Sequence, residues 1–419
     1  MTAQQLRIAF FNAQDHGSGA EDLIQQTVEG LIARGVDARL YAANCKTSAS
    51  YVHPLPFFPA ERKIERTLRR LTGRNDFFFP STSALGRRPW IKDADIWHFH
   101  NLHGHFISIP LLATQSREHR IVISPVDQFL STGYCPYTFG CERYRESCGK
   151  CPQLGLIYPG ISRDATSALL SMKKKAISNS AFNVLVHTDY LARHYASTFV
   201  SERPIDRIYY GIDTRIFHPM DRAACAATFK LPPSRRFTIG LFHSFVSEKR
   251  KGIFPILSLL RSLADRMPDR LEVLVVGNES EGAREYETDR LPITTLPFLR
   301  NKQELAMALN LCDVLLYPTQ AENLSLTCLK ALACGVPVIS SRVGGQPEAI
   351  RDAVNGFLCE PNQNEQIVER TAELATNGSI SQKLSAAARQ TAVEQFDIKT
   401  YVDNLLAYYL QVLERKIGT

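Results

Sequence analysis

Short apolar runs recur along the chain, each followed by a turn and then by a stretch whose apolar residues stand three and four apart. In the first half the runs at 6–11, 38–41, 96–99, 121–124 and 184–187 predict strands. Leu23, Ile24, Thr27, Val28, Leu31 and Ile32 fall on one helical stripe that ends at Gly35, a C-cap residue. In the second half strands are predicted at 238–242, 271–276, 314–317 and 336–340, with helices near 254–264, 302–310 and 326–333. The strands are continuously apolar rather than alternating, which requires sheets covered on both faces and therefore parallel α/β layers. Two such sheets fit the length. The boundary is expected within 201–219, where Pro204 and Pro219 bracket a short strand at 205–209 and Gly211. The pattern thus predicts two Rossmann-like, doubly wound parallel-sheet domains, 1–205 and 206–394, facing a cleft where strand C-termini meet. A closing helix, 395–419, places Leu405, Leu406, Tyr409, Leu410 and Leu413 on one stripe that needs a partner surface, and 76–90 reads as a long surface loop.

The chain has 419 residues, 44% hydrophobic and 22% charged, which excludes disordered, collagenous and coiled-coil classes. A net charge of +7 permits an anionic partner without demanding one, and nothing points to nucleic acid. The densest basic stretch, 61–74, carries Arg62, Lys63, Arg66, Arg69, Arg70 and Arg74, with Ile64, Leu68 and Leu71 at helical spacing opposite them. Such a helix rests on an acidic lipid surface or simply presents a solvated face. No run is long enough to span a bilayer, and Met1 to Arg7 lack a basic stretch leading into an apolar one. A cytoplasmic protein is expected, with peripheral contact on the inner face of the cytoplasmic membrane as the alternative to a freely soluble one.

Of ten cysteines, Cys45, Cys225, Cys312, Cys328, Cys334 and Cys359 are scattered among apolar neighbours as core thiols are. The other four, Cys135, Cys141, Cys148 and Cys151, lie in an insertion at 132–152. Four thiolates so close suit a tetrahedral structural zinc that pins a loop without a core of its own; free thiols are the alternative reading. The histidine-rich stretch 98–105 has no accompanying carboxylate, so His100, Asn101 and His103 are read as acceptor-side hydrogen-bonding or packing residues at a strand end.

Two turns offer ligand chemistry. After the first strand, Gly17 and Gly19 let backbone approach a ligand at a helix start, or merely make the turn. After the strand at 238–242, Glu248-Lys249-Arg250-Lys251-Gly252 sets cations at a helix N-terminus, where they would neutralise a diphosphate leaving group. Further on, Glu322 and the amides of Asn323, Leu324, Ser325 and Leu326 stand between a strand and a short helix, with an N-cap role for Glu322 as the plainer reading. No Gly-x-Gly-x-x-Gly run followed by a ribose-binding acid is present, which sets aside a nicotinamide oxidoreductase.

Arg250-Lys251-Gly252, the run 318–340 and Gly344-Gly345-Gln346-Pro347-Glu348 resemble, in order and spacing, the donor-domain signatures of family 4 of the retaining glycosyltransferases, of GT-B fold. In the first half, the Gly17 to Ala20 turn, the stretch 98–104, the cysteine insertion and Tyr210-Gly211-Ile212-Asp213 are similar to an exopolysaccharide or colanic-acid-type branch. The resemblance implies transfer of a sugar from a nucleotide-sugar donor, with retention, to a polysaccharide or lipid-linked oligosaccharide. Domain 1–205 would bind the acceptor and 206–394 the donor, and 395–419 would fold back on the first. It also implies that Arg250 and Lys251 hold the diphosphate, Glu322 with the amides of Asn323 to Leu326 the donor sugar, and Phe298 and Leu299 the base. Glu322, Asp127, Lys251 and Arg250 would carry catalysis without a metal cofactor.

Departures from the family pattern bear on the donor. Lys330 stands where a second glutamate, eight positions after the first, usually binds ribose; an ammonium donor there implies altered recognition or a donor with extra negative charge. Val126 replaces a histidine before the retained Asp127, and His243 replaces a small residue near the donor. The rival expectation is a non-catalytic binding or regulatory subunit of a glycan assembly complex.

Overall fold

The computed structural model describes residues 6–17, 19–155, 161, 163–232 and 234–416, so Ser18 in the first glycine turn and the expectations for the first residues fall outside it. The chain forms two compact units, Met1–Tyr209 with Lys399–Thr419, and Tyr210–Ile398.

The first unit holds a parallel sheet of seven strands in the order β3-β2-β1-β4-β5-β6-β7. These are β1 (Arg7–Gln14), β2 (Asp37–Asn44), β3 (Val52–Pro54), β4 (Ile96–His100), β5 (Ile121–Ser124), β6 (Asn183–Val186) and β7 (Ile205–Arg207). One face packs Phe11, Trp97, Phe99 and Ile123 without exposure, Phe11 and Phe99 stacking at 4.3 Å. The other face carries Phe10, His98 and His100, covered by the closing helix Ile398–Glu414. That helix buries Tyr401, Val402, Leu405, Tyr408, Tyr409 and Val412, whereas Leu406, Leu410 and Leu413 are only half-buried. The stripe is rotated from the expected leucine line toward Tyr401, Tyr408 and Tyr409, with Tyr409 OH meeting His98 Nδ1 at 2.5 Å. Arg34 to Asp403 and Arg415 to Asp206 clamp its two ends.

The second unit holds six parallel strands in the order β10-β9-β8-β11-β12-β13. They are β8 (Phe237–Phe245), β9 (Leu271–Asn278), β10 (Ile293–Leu296), β11 (Val314–Tyr317), β12 (Val338–Ser341) and β13 (Gly356–Cys359). The helix Ile253–Arg266 covers one face with Ile256, Leu257, Leu260 and Leu263. Strands β3, β10 and β13 escape the apolar pattern because they are three or four residues long and sit at sheet edges.

Two expectations are corrected, the loop at 76–90 and the core placement of Cys45. The segment 76–90 is no surface loop: Asp76, Phe79 and Leu85 are buried and Pro80–Arg87 forms a 3-10 helix. In the helix Glu61–Thr72 the buried residues are Glu61 and Glu65, while Ile64, Leu68 and Leu71 face solvent. Glu61 is drawn inward as an acceptor for Ser81 N and Oγ and Phe58 N, at 2.8, 2.9 and 2.9 Å, so local hydrogen bonding overrides the apolar stripe. Cys45 is exposed, unlike the other five scattered thiols, because β2 has already ended.

Candidate functional site

In each sheet the strand order reverses once, between β1 and β4 and between β8 and β11, so the loops leaving those strands lie side by side at their carboxyl ends. In the second unit the loop after β8 runs into one 3-10 turn, Lys249–Lys251, and Gly252 at φ 68° opens the next helix. A Cβ on Gly252 would come within 2.4 Å of the Pro318 carbonyl, so only glycine lets the two loops approach this closely. The loop after β11 ends at Ser325, whose Oγ caps Leu326–Ala333.

Between these loops Glu322 is clasped by cations. Lys251 Nζ lies 2.7 Å from Glu322 Oε2 and also donates to Tyr317 OH at 2.7 Å, while Tyr317 OH donates to the same carboxylate oxygen at 2.9 Å. Arg250 Nη1 stands 3.4 Å from that oxygen and donates to the Ala321 carbonyl. Burial alone would push the Glu322 carboxyl up, yet Lys251 and Arg250, with the hydrogen bonds from Lys251 and Tyr317, hold it down at about 2. The carboxylate is ionised; Lys251 is directed at it, while Arg250 is shared between it and Glu248, whose Oε1 lies 2.8 Å from Arg250 Nε and Nη2, an arrangement that can exchange partners with an incoming anion and a hydroxyl.

His243 joins this group from β8, where the pairing with β9 slips between Phe242 and Phe245. Its ring stacks on Tyr317 at 4.8 Å, and Nε2 is buried without a hydrogen-bond partner. Burial, then the nearby Lys251, keeps the ring neutral, well below its ordinary value. Asn323 N meets Glu322 Oε1 at 3.2 Å, whereas Ser325 N is taken by Gln346 Oε1 at 3.0 Å. Gln346, fully buried, also donates to Ser340 Oγ. Gly344, at φ 58°, lets this turn press on the Glu322 backbone: a Cβ there would stand 1.7 Å from the Glu322 carbonyl oxygen. Leu324 is buried and Leu326 begins the helix.

Phe298 and Leu299 are half-buried on the loop after β10. Lys330, 7% exposed, holds its ammonium 5.1 Å from the centre of the Phe217 ring. Of the residues expected at the donor site, Arg250, Lys251, His243 and Glu322 are brought together by the fold, joined by Tyr317 and Gln346, to which the sequence pattern assigns no role. The aromatic at the end of β11 reads as core from the apolar pattern, and only the packing turns its hydroxyl toward Glu322.

In the first unit Asp15, at the end of β1, accepts from Lys46 N, Thr47 N and Thr47 Oγ1. Burial opposes its charge, but these bonds and His16 hold it at about 2 and fix the approach to Gly17, at φ 124°, and Gly19, which starts the following helix. At the end of β4, His103 Nε2 lies 2.7 Å from Asp127 Oδ2 and 2.8 Å from the Asn101 side-chain amide. Burial works against a protonated ring, but the Asp127 carboxylate outweighs it and lifts His103 above its usual value. Asp127 is oriented by Phe129 N at 2.9 Å, and Val126 beside it is half-buried. Of the two readings given to His100, Asn101 and His103, His100 fits packing: it is 3% exposed and stacks on His98 and Phe10. Cys135, Cys141, Cys148 and Cys151 line one small cavity, and all are free thiols.

Residues 238–391 match the family described as glycosyl transferases group 1. The chain is 28% identical over 249 residues to a D-inositol 3-phosphate glycosyltransferase of Saccharomonospora viridis, covering 57% of this chain and 56% of that one. It is 26% identical over 213 residues to the N-acetyl-alpha-D-glucosaminyl L-malate synthase of Bacillus anthracis, covering 50% and 55%. The alignments thus span little more than half the length of these curated relatives. Among solved structures, the sucrose-phosphate synthase of Thermosynechococcus elongatus superposes with a TM-score of 0.71 at 18% identity, over 98% of this chain and all of that one. Anabaena Alr3699/HepE in complex with UDP-glucose superposes with a TM-score of 0.66 at 15% identity, over 97% and 100%. The architecture is that of GT-B glycosyltransferases, two parallel-sheet α/β domains.

Proposed function

We propose that the protein transfers a sugar from a nucleotide-sugar donor to a polysaccharide or lipid-linked oligosaccharide, with retention at the anomeric carbon; the match of residues 238–391 to the glycosyl transferases group 1 family supports this reading. The observation that carries this reading is the joint grip of Lys251 and Arg250 on Glu322. On this reading the donor's diphosphate takes over the two cations and Glu322, freed, accepts from a sugar hydroxyl. Charge growing on the departing nucleoside diphosphate is met by fixed ammonium and guanidinium groups, so the leaving group is stabilised by side chains already in place. Asn323 would assist at the sugar, Phe298 and Leu299 would line the base, and the buried Lys330 would supply a donor where the ribose or an added acidic group lies. Anabaena Alr3699/HepE, solved with UDP-glucose, supports a donor of that class.

Asp127, with His103 and Asn101, would hold the acceptor hydroxyl, the pair being able to keep a proton on His103 Nε2. Supporting a membrane-borne acceptor, the helix Glu61–Thr72 turns Ile64, Leu68 and Leu71 outward beside Arg62, Lys63, Arg66 and Arg70, a face suited to an acidic lipid surface. No helix among the described residues is long and apolar enough to cross a membrane. The test is release of nucleoside diphosphate across a panel of activated sugars. Release is expected with at least one, and Lys251→Ala is expected to lose it by about 10²-fold or more. A folded wild-type chain that binds no member of the panel by calorimetry would instead favour the non-catalytic subunit.

A further inference from the structure

After the turn Phe129–Ser131 that follows Asp127, the segment 132–155 has no helix or strand apart from the single turn at Arg143–Arg145, and Gly149 within it bonds to Thr166 at the start of the helix Thr166–Ser178. Its apolar anchor is small: Tyr134 packs with Ile161 and Leu169. So long an irregular stretch needs another source of order. Its four cysteines surround a cavity of about 20 Å³, room for a single atom-sized occupant, walled otherwise by residues such as Tyr134, Tyr144 and Thr166.

The backbone around the sulfurs is shaped in an unusual way. Cys148, Gly149 and Lys150 are all left-handed, at φ 55°, 86° and 47°, which folds the Cys148 to Cys151 stretch into a tight knuckle. That knuckle is pinned by Gly149 N to Thr166 Oγ1 at 2.9 Å and Cys151 N to Asp164 Oδ2 at 2.8 Å. The Thr132 hydroxyl donates to the Cys135 carbonyl at 2.6 Å, fixing the first cysteine's backbone. The Cys135 end is tied down separately, by Lys173 Nζ to the Phe129 and Thr132 carbonyls at 2.7 and 2.9 Å and by Gln128 N to the Pro136 carbonyl at 2.8 Å.

We propose that Cys135, Cys141, Cys148 and Cys151 bind one structural zinc ion as four thiolates. Zinc takes this ligand set at tetrahedral sites with bonds of about 2.3 Å, and the four thiol protons leave to solvent as it binds. Among the described residues no three His, Cys, Asp or Glu side chains already converge as ligands. Ligation therefore draws the sulfurs inward over the cavity that all four line. The consequence reaches Asp127: Gln128 beside it is held by Pro136 and Thr138, the latter donating to Gln128 Oε1 at 2.9 Å, so the metal stiffens the wall behind the Asp127–His103 pair.

Full-length chain purified without chelator should carry about one zinc per chain by elemental analysis. After chelation and refilling with Co(II), it should show the intense thiolate-to-cobalt charge-transfer absorption of an all-sulfur tetrahedral site. Cys141→Ser and Cys148→Ser should each lose the zinc and that spectrum, whereas Cys45→Ser, on an exposed cysteine elsewhere, should keep both. If the serine variants fail to fold, the wild-type cobalt spectrum decides alone. A folded wild-type chain with neither zinc nor the charge-transfer band overturns the proposal. So does a thiol count showing these four paired as disulfides, or a folded Cys148→Ser chain that retains a full equivalent of metal.

Discussion

Glu322 shows how one side chain can be both strongly held and ready to let go. Its charge exists only because Lys251, Arg250 and Tyr317 outweigh burial. Removing Lys251 leaves a buried carboxylate short of a partner, so Lys251→Met is expected to cost about 3 kcal/mol in urea unfolding. Adding Glu322→Gln should recover a good part of that loss, since the orphaned charge goes with it. Costs that simply add would show that the two side chains do not act as a pair. Stability that Glu322 gains from its lowered pKa is present above about 4.5 and is lost as pH falls toward 2. The cations and the carboxylate were legible in the sequence because charged residues near strand ends are rare enough to notice. Tyr317 and Gln346 were not, since an aromatic and a glutamine among apolar residues carry no sign of which atom they will meet.

At the scale of elements, the helix Glu61–Thr72 separates two kinds of surface that look alike in sequence. Its glutamates face inward and its leucines outward. Leu68→Ser should therefore change unfolding stability by no more than about 0.5 kcal/mol. Glu61→Ala, which strips acceptors from Ser81 and Phe58, should cost about 2 kcal/mol. The reverse order of costs in thermal or urea unfolding would refute this orientation. The same pair separates folding from docking: if this face meets lipid, Leu68→Ser together with Leu71→Ser should weaken cosedimentation with anionic vesicles while leaving stability unchanged. The closing helix teaches a related lesson. A stripe of leucines predicts an amphipathic helix, but the buried face carries Tyr401, Tyr408 and Tyr409, with Tyr409 on His98 and Arg415 on Asn183.

Taken whole, the first unit stores an acid sensitivity in its core. His98, His100 and His187 are buried, and burial is the first cause that lowers all three: His98 well below 6.5, His100 to about 3, His187 to about 4. The unfolded chain binds protons on them below about 6.5 while the folded chain does not, so stability rises with pH through this window. It is complete above about 6.5 and is lost on acidification toward 4, at up to about 1.4 kcal/mol per pH unit for each ring. His100→Phe keeps the stack, discards an unpartnered buried nitrogen and should flatten this slope; an unchanged slope between pH 7 and 5 in urea titrations would count against the assignment. Two doubly wound parallel sheets follow from the sequence by itself, since continuous apolar strands alternating with amphipathic helices admit little else, and so do the cations and acids at the strand ends. Which strands lie side by side, which face of each helix turns inward, and that Lys251, Arg250, Tyr317 and His243 gather on Glu322 were decided only by tertiary structure. Periodicity along a chain reports how much of a residue is buried, whereas contact between residues some 70 positions apart is set by the crossing of loops at the reversal between β8 and β11.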